Sequence, residues 1–230
     1  MLTPLVKKTK ITYNIVGICE IIYTEKRQDI GDGRMINSDD GFDFANGVLY
    51  LKEENAVDYI VDENGDIFTT RDPIFKGILK NLEPAPIKVF QVGAIETFEG
   101  LRWRCFSGWS DMLWGEYIRE HGGGLTVVDI NINHLAHSTL AAAQLGYEIN
   151  AIYGDAADHI TAQDYDIYYL DGSNDPHETL DQYNKIKHTS SIIIIDDYSI
   201  KGTLVDKIKP QNTVVYDIFS GIAVIDLRSQ

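Results

Sequence analysis

Apolar runs separated by polar turns follow one another in a regular order through the second half of the chain. The most informative run, residues 192–195, has four consecutive isoleucines, which indicates a strand buried on both faces. Residues 165–170 form a similar run. Both runs lead directly into carboxylates, Asp196 and Asp197 after the first and Asp171 after the second. Strands of this kind are typical of a parallel sheet, whose carboxyl edge is where open α/β folds bind ligands.

Strands and helices are expected to alternate from residue 87 onward. The apolar pattern predicts strands at residues 88–92, 125–128, 148–153, 165–170, 192–195, 213–218 and 221–227. It predicts helices at residues 109–121, 133–145 and 176–187, with Asn133 as the N-cap of the second and Gly146 at its end. The predicted fold class is therefore α/β, a Rossmann-like, doubly wound, mostly parallel seven-stranded sheet that ends in an antiparallel hairpin.

The first third of the chain has a different pattern, with short segments rich in β-branched residues. Strands are expected at residues 11–18, 20–23, 47–51 and 57–61, and residues 29–43 are expected to form a loop. Asn64–Gly65 predicts a hairpin turn before residues 67–69, and Asp72–Pro73 predicts the start of a short helix. The sequence thus predicts a β-rich N-terminal region over residues 1–84, of unknown role, and an α/β domain over residues 85–230.

Composition and charge narrow the classes of function. The chain has 230 residues, and its net charge of −15 argues against nucleic-acid or anionic-membrane binding, which need basic patches. Cys19 and Cys105 lack metal-ligand spacing and argue against a disulfide framework, so the cytoplasm is the expected location. The N-terminus has no long apolar run that would predict a signal peptide or a membrane span. The oligomeric state is left open, with a homodimer as one option.

Three predicted strands end in residues suited to nucleotide binding. Gly93 would let the backbone approach a ligand closely, although glycines at strand ends also serve as simple turns. Asp129 could accept hydrogen bonds from ribose hydroxyls, or cap the helix that follows. In Gly154–Asp155–Ala156, Asp155 could meet an adenine amino group, and it could also cap a helix.

The acids after the two most buried strands suggest a metal site. Asp171, Asp196 and Asp197 would repel one another unless a cation or basic groups neutralise them, and Mg²⁺ favours such oxygen ligands. The alternative is that they are separate capping acids. His177, shortly after Asp171, is a candidate general base, or a surface residue in a first helical turn.

The order and spacing of these residues resemble a known family. The residues from Gly93 through Asp129, Gly154–Asp155–Ala156, Asp171–Gly172–Ser173 and Asp196–Asp197–Tyr198 are similar to class I S-adenosylmethionine-dependent methyltransferases. Within that family they are most similar to the small-molecule O-methyltransferases, which include macrocin-type and catechol-type enzymes. The resemblance covers residues 87–230.

The resemblance implies a cofactor and roles for individual residues. S-adenosylmethionine would lie with its methionine part at Gly93, its ribose at Asp129 and its adenine at Asp155 and Ala156. Ser110 would offer hydrogen bonds at the start of the first helix, and a divalent cation, Mg²⁺, would bind Asp171, Asp196 and Asp197.

The chain also departs from the pattern of the family. Gln91 stands where the family has an acid, so it would offer the cofactor's amino group a neutral acceptor. Asn174 stands where many relatives have histidine. Residues 96–108 interrupt the glycine loop and are expected to form a lid beside the cofactor.

The expected function is that of an S-adenosylmethionine-dependent, divalent-metal-assisted O-methyltransferase. Its substrate would be a small hydroxylated molecule, such as a sugar or a catechol-like compound, with Asp171 and His177 as catalytic residues. Two alternatives stay open: a non-catalytic nucleotide-binding module with this fold, and a nucleotide-dependent oxidoreductase. A tight dinucleotide-binding glycine pattern is absent from the sequence, which disfavours the oxidoreductase.

Overall fold

The computed structural model describes two compact units of the chain. Backbone is described for residues 6–12, 18–24, 42–45, 48–51, 59–61, 67–69, 72–82, 85–98, 103–104, 108–208, 210, 212–216 and 221–228. One unit comprises Met1–Gly77 with Arg102–Cys105, and the other comprises Ile78–Leu101 with Phe106–Gln230. The domain boundary expected at residues 84 and 85 stays a prediction.

The first unit contains two small sheets. In one, β1 (Val6–Thr12), β2 (Ile18–Thr24), β3 (Phe42–Ala45) and β4 (Val48–Leu51) lie in the order β1-β2-β4-β3. In the other, β5 (Tyr59–Val61) pairs antiparallel with β6 (Ile67–Thr69), as the hairpin prediction requires, while the Asn64–Gly65 turn lies outside the described residues. The strand predicted at residues 11–18 overlaps the end of β1 and the start of β2, while residues 13–17 lie outside the described residues.

Part of the predicted lid also forms a strand in the first unit. Trp103–Arg104 is β8, which pairs in parallel with β6. Residues 99–102 and 105–107 lie outside the described residues, so the role of residues 96–108 as a lid stays a prediction.

The second unit is built on a seven-stranded sheet that confirms the predicted fold class. Its strands are β7 (Ile87–Val92), β9 (Gly123–Asp129), β10 (Ile149–Tyr153), β11 (Ile167–Leu170), β12 (Ile192–Asp196), β13 (Thr213–Tyr216) and β14 (Ile222–Asp226). Their order is β10-β9-β7-β11-β12-β14-β13, and the first five are parallel. β14 pairs antiparallel with both β12 and β13, which forms the predicted terminal hairpin.

Seven helices are described along the chain. They are α1 (Asp72–Lys80), α2 (Ser110–His121), α3 (Ile132–Leu145), α4 (Ala156–His159), α5 (Pro176–Ile186), α6 (Tyr198–Lys201) and α7 (Thr203–Ile208). None of the described helices is both long and apolar enough to span a membrane.

Helix ends follow local capping chemistry. The N-cap of α3 is Asn131, whose side chain accepts from the Asn133 N–H at 3.0 Å, so the prediction of Asn133 as the cap was wrong by two residues. Gly146 ends the same helix at φ 76°, as predicted, because glycine adopts this left-handed conformation without steric cost. Asp175 caps α5, and Pro176 occupies its first turn.

The core of the second unit lies against the central strands. Every residue of β11 and β12 is buried, which explains why both segments are almost wholly apolar. Phe90 of β7 packs edge-on against the ring of Tyr165, and Trp114 packs edge-on against Tyr169. Burial of these large apolar surfaces fixes the strands and therefore the positions of their carboxyl ends.

Candidate cofactor cleft and its acidic cluster

A cleft of about 380 Å³ opens at the carboxyl ends of the parallel strands in the second unit. Its walls include residues that follow β7, β9, β10 and β11. The strand order reverses between β7 and β11. On one side of β7 lie β9 and β10, and on its other side lie β11 and β12. Open α/β sheets bind ligands at such a switch point, and the volume lies in the usual range for small-molecule sites.

Two glycines shape the floor of the cleft. Gly93 has φ 92°, and a Cβ atom there would lie 2.5 Å from the carbonyl oxygen of Asp171. Gly108 has φ 81°, and a Cβ there would overlap the backbone of Ala94. Both positions therefore require glycine: a side chain at Gly93 would force apart the loops that follow β7 and β11, and one at Gly108 would push against the loop that follows β7.

Asp129 lies in the cleft wall at the end of β9, as predicted, and its carboxylate is held in place by the protein. Oδ2 accepts from the Ala94 N–H at 2.9 Å, and Oδ1 accepts from the Asn131 N–H at 2.7 Å. His134 Nδ1 lies 3.3 Å from Oδ2. These bonds fix the orientation of the carboxylate, and its remaining lone pairs can still accept from a ligand.

The predicted adenine-binding residues lie at the same cleft, after β10. Asp155 and Ala156 both line it, and Asp155 also caps α4 by accepting from the Ala157 N–H at 2.8 Å. The two interpretations of Asp155 are therefore compatible. Ile130 lines the cleft with 73% of its surface exposed, which offers an apolar face to a flat ring.

The charge of the cleft is strongly negative. Among the described residues that line it, five are acidic and none is lysine or arginine; the acids are Glu96, Asp129, Asp155, Asp171 and Glu178. A cleft lined by one sign of charge raises the local concentration of ligands of the opposite sign. This cleft is thus suited to a cation and disfavours a pyrophosphate.

Two predicted cofactor contacts, Gln91 and Ser110, do not reach the cleft. Both are almost wholly buried, at 0% and 1% exposure. The Gln91 side chain donates to the Gly93 carbonyl at 2.8 Å and to the carboxylate of Asp111, and it accepts from the Ser110 hydroxyl at 3.1 Å. The polar atoms of Gln91 are therefore already engaged in this set of residues, Gln91, Ser110 and Asp111, which we call the Gln91 network.

The sequence analysis did not single out Asp111, yet its protonation decides whether the Gln91 network is charged or neutral. Its carboxyl is fully buried, and burial raises its pKa to about 8, against the lowering effect of hydrogen bonds from Ser138 and Gln91. At neutral pH the network therefore holds a protonated acid, because no cation lies in this network to stabilise the ionised form.

The three predicted metal ligands do converge, but around a lysine. Lys201 Nζ lies 2.6 Å from Asp171 Oδ1 and 3.3 Å from Asp197 Oδ2, and only 3% of the lysine side chain is exposed. Tyr169 donates its hydroxyl to Asp196 Oδ2 at 2.5 Å and lies 3.4 Å from Asp171 Oδ2. We call these residues, Tyr169, Asp171, Asp196, Asp197 and Lys201, the Lys201 cluster.

Opposing effects set the protonation of the Lys201 cluster. Burial, helped by the charge of Asp196, raises the pKa of Asp171 to about 7, although the ammonium of Lys201 lowers it. Burial lowers the pKa of Lys201, but the charges of Asp171 and Asp197 outweigh it and raise that pKa above its ordinary value. The lysine is therefore a cation at neutral pH.

This arrangement does not fit the divalent cation that the sequence predicts. Asp171 is bound to the ammonium, and both oxygens of Asp196 accept hydrogen bonds, one from Tyr169 and one from the Asp197 N–H at 2.8 Å. A divalent cation among these carboxylates would also be repelled by the ammonium. No group of three or more histidine, cysteine or acidic side chains suited to a metal ion occurs within the described part of the chain.

His177 does not join the site either. It is the second residue of α5, its side chain is exposed, and its N–H binds the Asp175 cap at 2.9 Å. It does not line the cleft, whereas its neighbour Glu178 does. The interpretation of His177 as a surface residue of the first turn is therefore the better one.

Comparison with known proteins rests on structure alone. No protein-family model matches the sequence, and no curated protein matches it. The fold is similar to that of the SAH-bound methyltransferase PaMTH1 from Podospora anserina, at 14% identity over 68% of this chain and 77% of that one, with a TM-score of 0.50. It is also similar to cofactor-bound Rv0187 from MTB, at 12% identity over 70% of this chain and 81% of that one, with a TM-score of 0.51.

The chain has the fold of the class I S-adenosylmethionine-dependent methyltransferases. On this methyltransferase fold, the structure brings Gly93, Asp129, Asp155, Ala156 and Asp171 to one cleft. It adds four residues at or beside that cleft that the sequence did not reveal, namely Glu96, His134, Glu178 and the buried Lys201. They lie on a loop or on helices that follow the strands, namely α3 for His134, α5 for Glu178 and α6 for Lys201.

Proposed function

We propose that the chain is an S-adenosylmethionine-dependent methyltransferase that acts on a hydroxyl group of a small molecule. The observation that carries the proposal is the acid-lined cleft at the switch point of a methyltransferase fold. Asp129 would accept from the ribose hydroxyls, and Asp155 with Ala156 would border the adenine.

The charge of the cleft supports a sulfonium cofactor over a dinucleotide. S-adenosylmethionine carries a positive sulfonium, a positive amino group and one carboxylate, so its net charge is positive; NAD⁺ carries two negative phosphate groups and one positive ring, so its net charge is negative. Glu96, Asp129, Asp155 and Glu178 in the cleft wall, which are not paired with Lys201 as Asp171 is, attract the former and repel the latter. Because Gln91 is engaged in its own network, Glu96 and Glu178 are the acidic partners we assign to the amino group.

Asp171 is the residue we assign to the chemical step. Of the three carboxylates in the Lys201 cluster, it is the one that lines the cleft. The substrate oxygen would attack the methyl carbon in line with the sulfonium sulfur. The carbon–sulfur bond then breaks with its electron pair left on sulfur, and the hydroxyl proton passes to the Asp171 carboxylate.

Calorimetric titration of the full chain with S-adenosylmethionine, S-adenosylhomocysteine and NAD⁺ tests this proposal. We expect binding of one S-adenosylmethionine per chain, weaker binding of the uncharged-sulfur product and no binding of NAD⁺. The preference for the sulfonium should shrink as salt is added, because screening weakens the attraction of the acids. Binding of NAD⁺ in preference to S-adenosylmethionine would favour the oxidoreductase.

Transfer of a labelled methyl group separates an enzyme from a binding module. The full chain is incubated with methyl-labelled S-adenosylmethionine and a panel of catechols and sugars. We expect label in a hydroxyl-bearing acceptor, and loss of that transfer in Asp171→Asn with cofactor binding retained. Cofactor binding without transfer to any acceptor would support the non-catalytic module instead.

A further inference from the structure

We propose that the ammonium of Lys201 takes the place of a divalent cation in the acidic cluster, so that the chain binds no metal ion there. For methyl transfer, this inference rests on the proposed function and implies a reaction that needs no metal. For metal binding, it stands on the geometry of the cluster alone. Lys201 is then a positioning residue that acts through Asp171.

The short helix after β12 places Lys201 where it neutralises the cluster. Asp197 starts this helix, and the Lys201 N–H donates to the Asp197 carbonyl at 2.9 Å, which completes one helical turn. One turn places residues i and i+4 on the same face, so the lysine side chain lies over the carboxylate of Asp197. It also reaches Asp171 at the end of the adjacent strand β11.

Burial makes the lysine a built part of the site. The side chain is 3% exposed, and it forms ion pairs with Asp171 and Asp197. A buried ammonium is stable only when carboxylates compensate its lost hydration, and the carboxylates in turn need its charge. If a metal ion displaced the lysine from the cluster, the Lys201 ammonium would need other carboxylates or water to compensate its charge.

The cluster also fixes the group that faces the acceptor. One oxygen of Asp171 binds Lys201, and the other lies 3.4 Å from the Tyr169 hydroxyl. The carboxylate is thereby oriented at the cleft wall without a metal ion. In this role the lysine supplies both the charge and the anchoring bond of Asp171, since the Tyr169 hydroxyl donates its proton to Asp196.

Titration of metal-free protein with Mn²⁺, followed by the electron paramagnetic resonance signal of the free ion, tests the inference. We expect no Mn²⁺ binding to the wild type at the Lys201 cluster. Lys201→Met removes the ammonium and leaves three carboxylates together, so we expect it to gain about one Mn²⁺ per chain. Lys201→Arg keeps the positive charge and should not gain Mn²⁺. Lys207→Met, at an exposed lysine of α7, is the matched control and should behave as the wild type.

The outcomes separate this inference from the proposed function. Mn²⁺ binding by the wild type that is lost in Asp197→Asn would overturn the inference, whether or not the chain binds S-adenosylmethionine. A folded Lys201→Met variant that gains no Mn²⁺ would overturn it too. If that variant is unfolded without metal, recovery of the wild-type circular dichroism spectrum on Mn²⁺ addition supports the inference, and failure to recover contradicts it. Failure of cofactor binding would count against the proposed function alone.

Discussion

The Gln91 network and the Lys201 cluster are two buried polar groups near the carboxyl ends of neighbouring strands, and they differ in charge and in access to the cleft. The first contains one acid, Asp111, and no cation, and none of its residues lines the cleft. The second contains three acids and a lysine, and its Asp171 lies in the cleft wall. The first group is thus separate from the cleft, and the second contributes one carboxylate to its wall.

The comparison shows how a neighbouring cation changes the protonation of a buried carboxyl group. Burial raises the pKa of both acids, that of Asp111 to about 8 and that of Asp171 to about 7. At Asp171 the ammonium of Lys201 opposes this effect, so the acid can ionise near neutral pH. At Asp111 none of the residues that the structure describes supplies such a cation, and the acid serves as a neutral hydrogen-bonding group.

Gly93 links the two regions, and its substitution should have the largest effect. Its carbonyl accepts from Gln91, and its missing side chain leaves room for the Asp171 carbonyl. We expect Gly93→Ala to destabilise the chain by about 2–5 kcal/mol, the sum of a positive-φ cost and an overpacking cost. Urea denaturation followed by tryptophan fluorescence measures the loss.

Gly146→Ala is the matched control for this substitution. Gly146 also has a positive φ, 76°, but within the described part of the chain nothing beyond its chain neighbours lies within 4 Å of the Cβ that would be added. It should lose only about 1 kcal/mol, from the backbone conformation. Equal losses in the two variants would show that the contact between the two regions is not tight.

Substitution of Asp129 tests whether the cleft binds the cofactor. Asp129→Ala should weaken S-adenosylmethionine binding by about 1.5–3 kcal/mol, or roughly ten- to a hundredfold, because hydrogen bonds to a charged group are lost. Calorimetry measures the change, with the exposed Asp158→Ala as control. Unchanged affinity would remove Asp129 from the ribose site.

The Gln91 network should control the pH dependence of stability. The pKa of Asp111 rises from 3.8 to about 8 on folding, so between these values the folded chain binds a proton that the unfolded chain has released. Asp111 alone therefore makes the free energy of unfolding fall as pH rises through this window, by up to roughly 1.4 kcal/mol per pH unit, and Asp171 adds a fall of the same sign below about pH 7. Asp111→Asn should flatten the fall between pH 7 and pH 8 and stabilise the chain above pH 8.

Urea denaturation at several pH values checks this expectation. Asp158→Asn, which changes an exposed acid of α4, should leave the wild-type slope unchanged. A slope in Asp111→Asn equal to that of the wild type would mean that Asp111 is ionised in the folded chain.

His177 should show the smallest effect. Its side chain lies outside the cleft, so His177→Ala should leave both cofactor affinity and methyl transfer unchanged. His134→Ala is the informative partner, since His134 lines the cleft and contacts Asp129. It should weaken cofactor binding by roughly two- to tenfold. Loss of transfer in His177→Ala would restore that residue as a base.

Most of the sheet could be predicted because its strands carry strong local patterns. The isoleucine run of β12 and the apolar run of β11 are buried on both faces. Such strands are nearly continuous apolar segments, which are easily recognised in a sequence. The acids and glycines at strand ends followed from the parallel order, since the ends of such strands meet at one edge. The cap of α3 was missed because Asn131 and Asn133 are both suitable capping residues.

The sequence could not show in the same way that the cation among these acids is the ammonium of Lys201. The spacing of Asp197 and Lys201 becomes meaningful only once residues 198–201 are known to form a helical turn. The engagement of Gln91 was equally hidden, because its partner Asp111 lies 20 residues away on α2. Both depend on tertiary contacts between segments whose local patterns do not show how they meet.

A crystal structure of the chain with S-adenosylhomocysteine tests the central claim most directly. We predict ribose hydroxyls within hydrogen-bonding distance of the Asp129 carboxylate and the sulfur on the side of the cleft that Asp171 lines. Gln91 and Ser110 should make no contact with the ligand, and Lys201 should remain bound to Asp171. A ligand whose amino group binds Gln91, or whose ribose lies away from Asp129, would contradict the account.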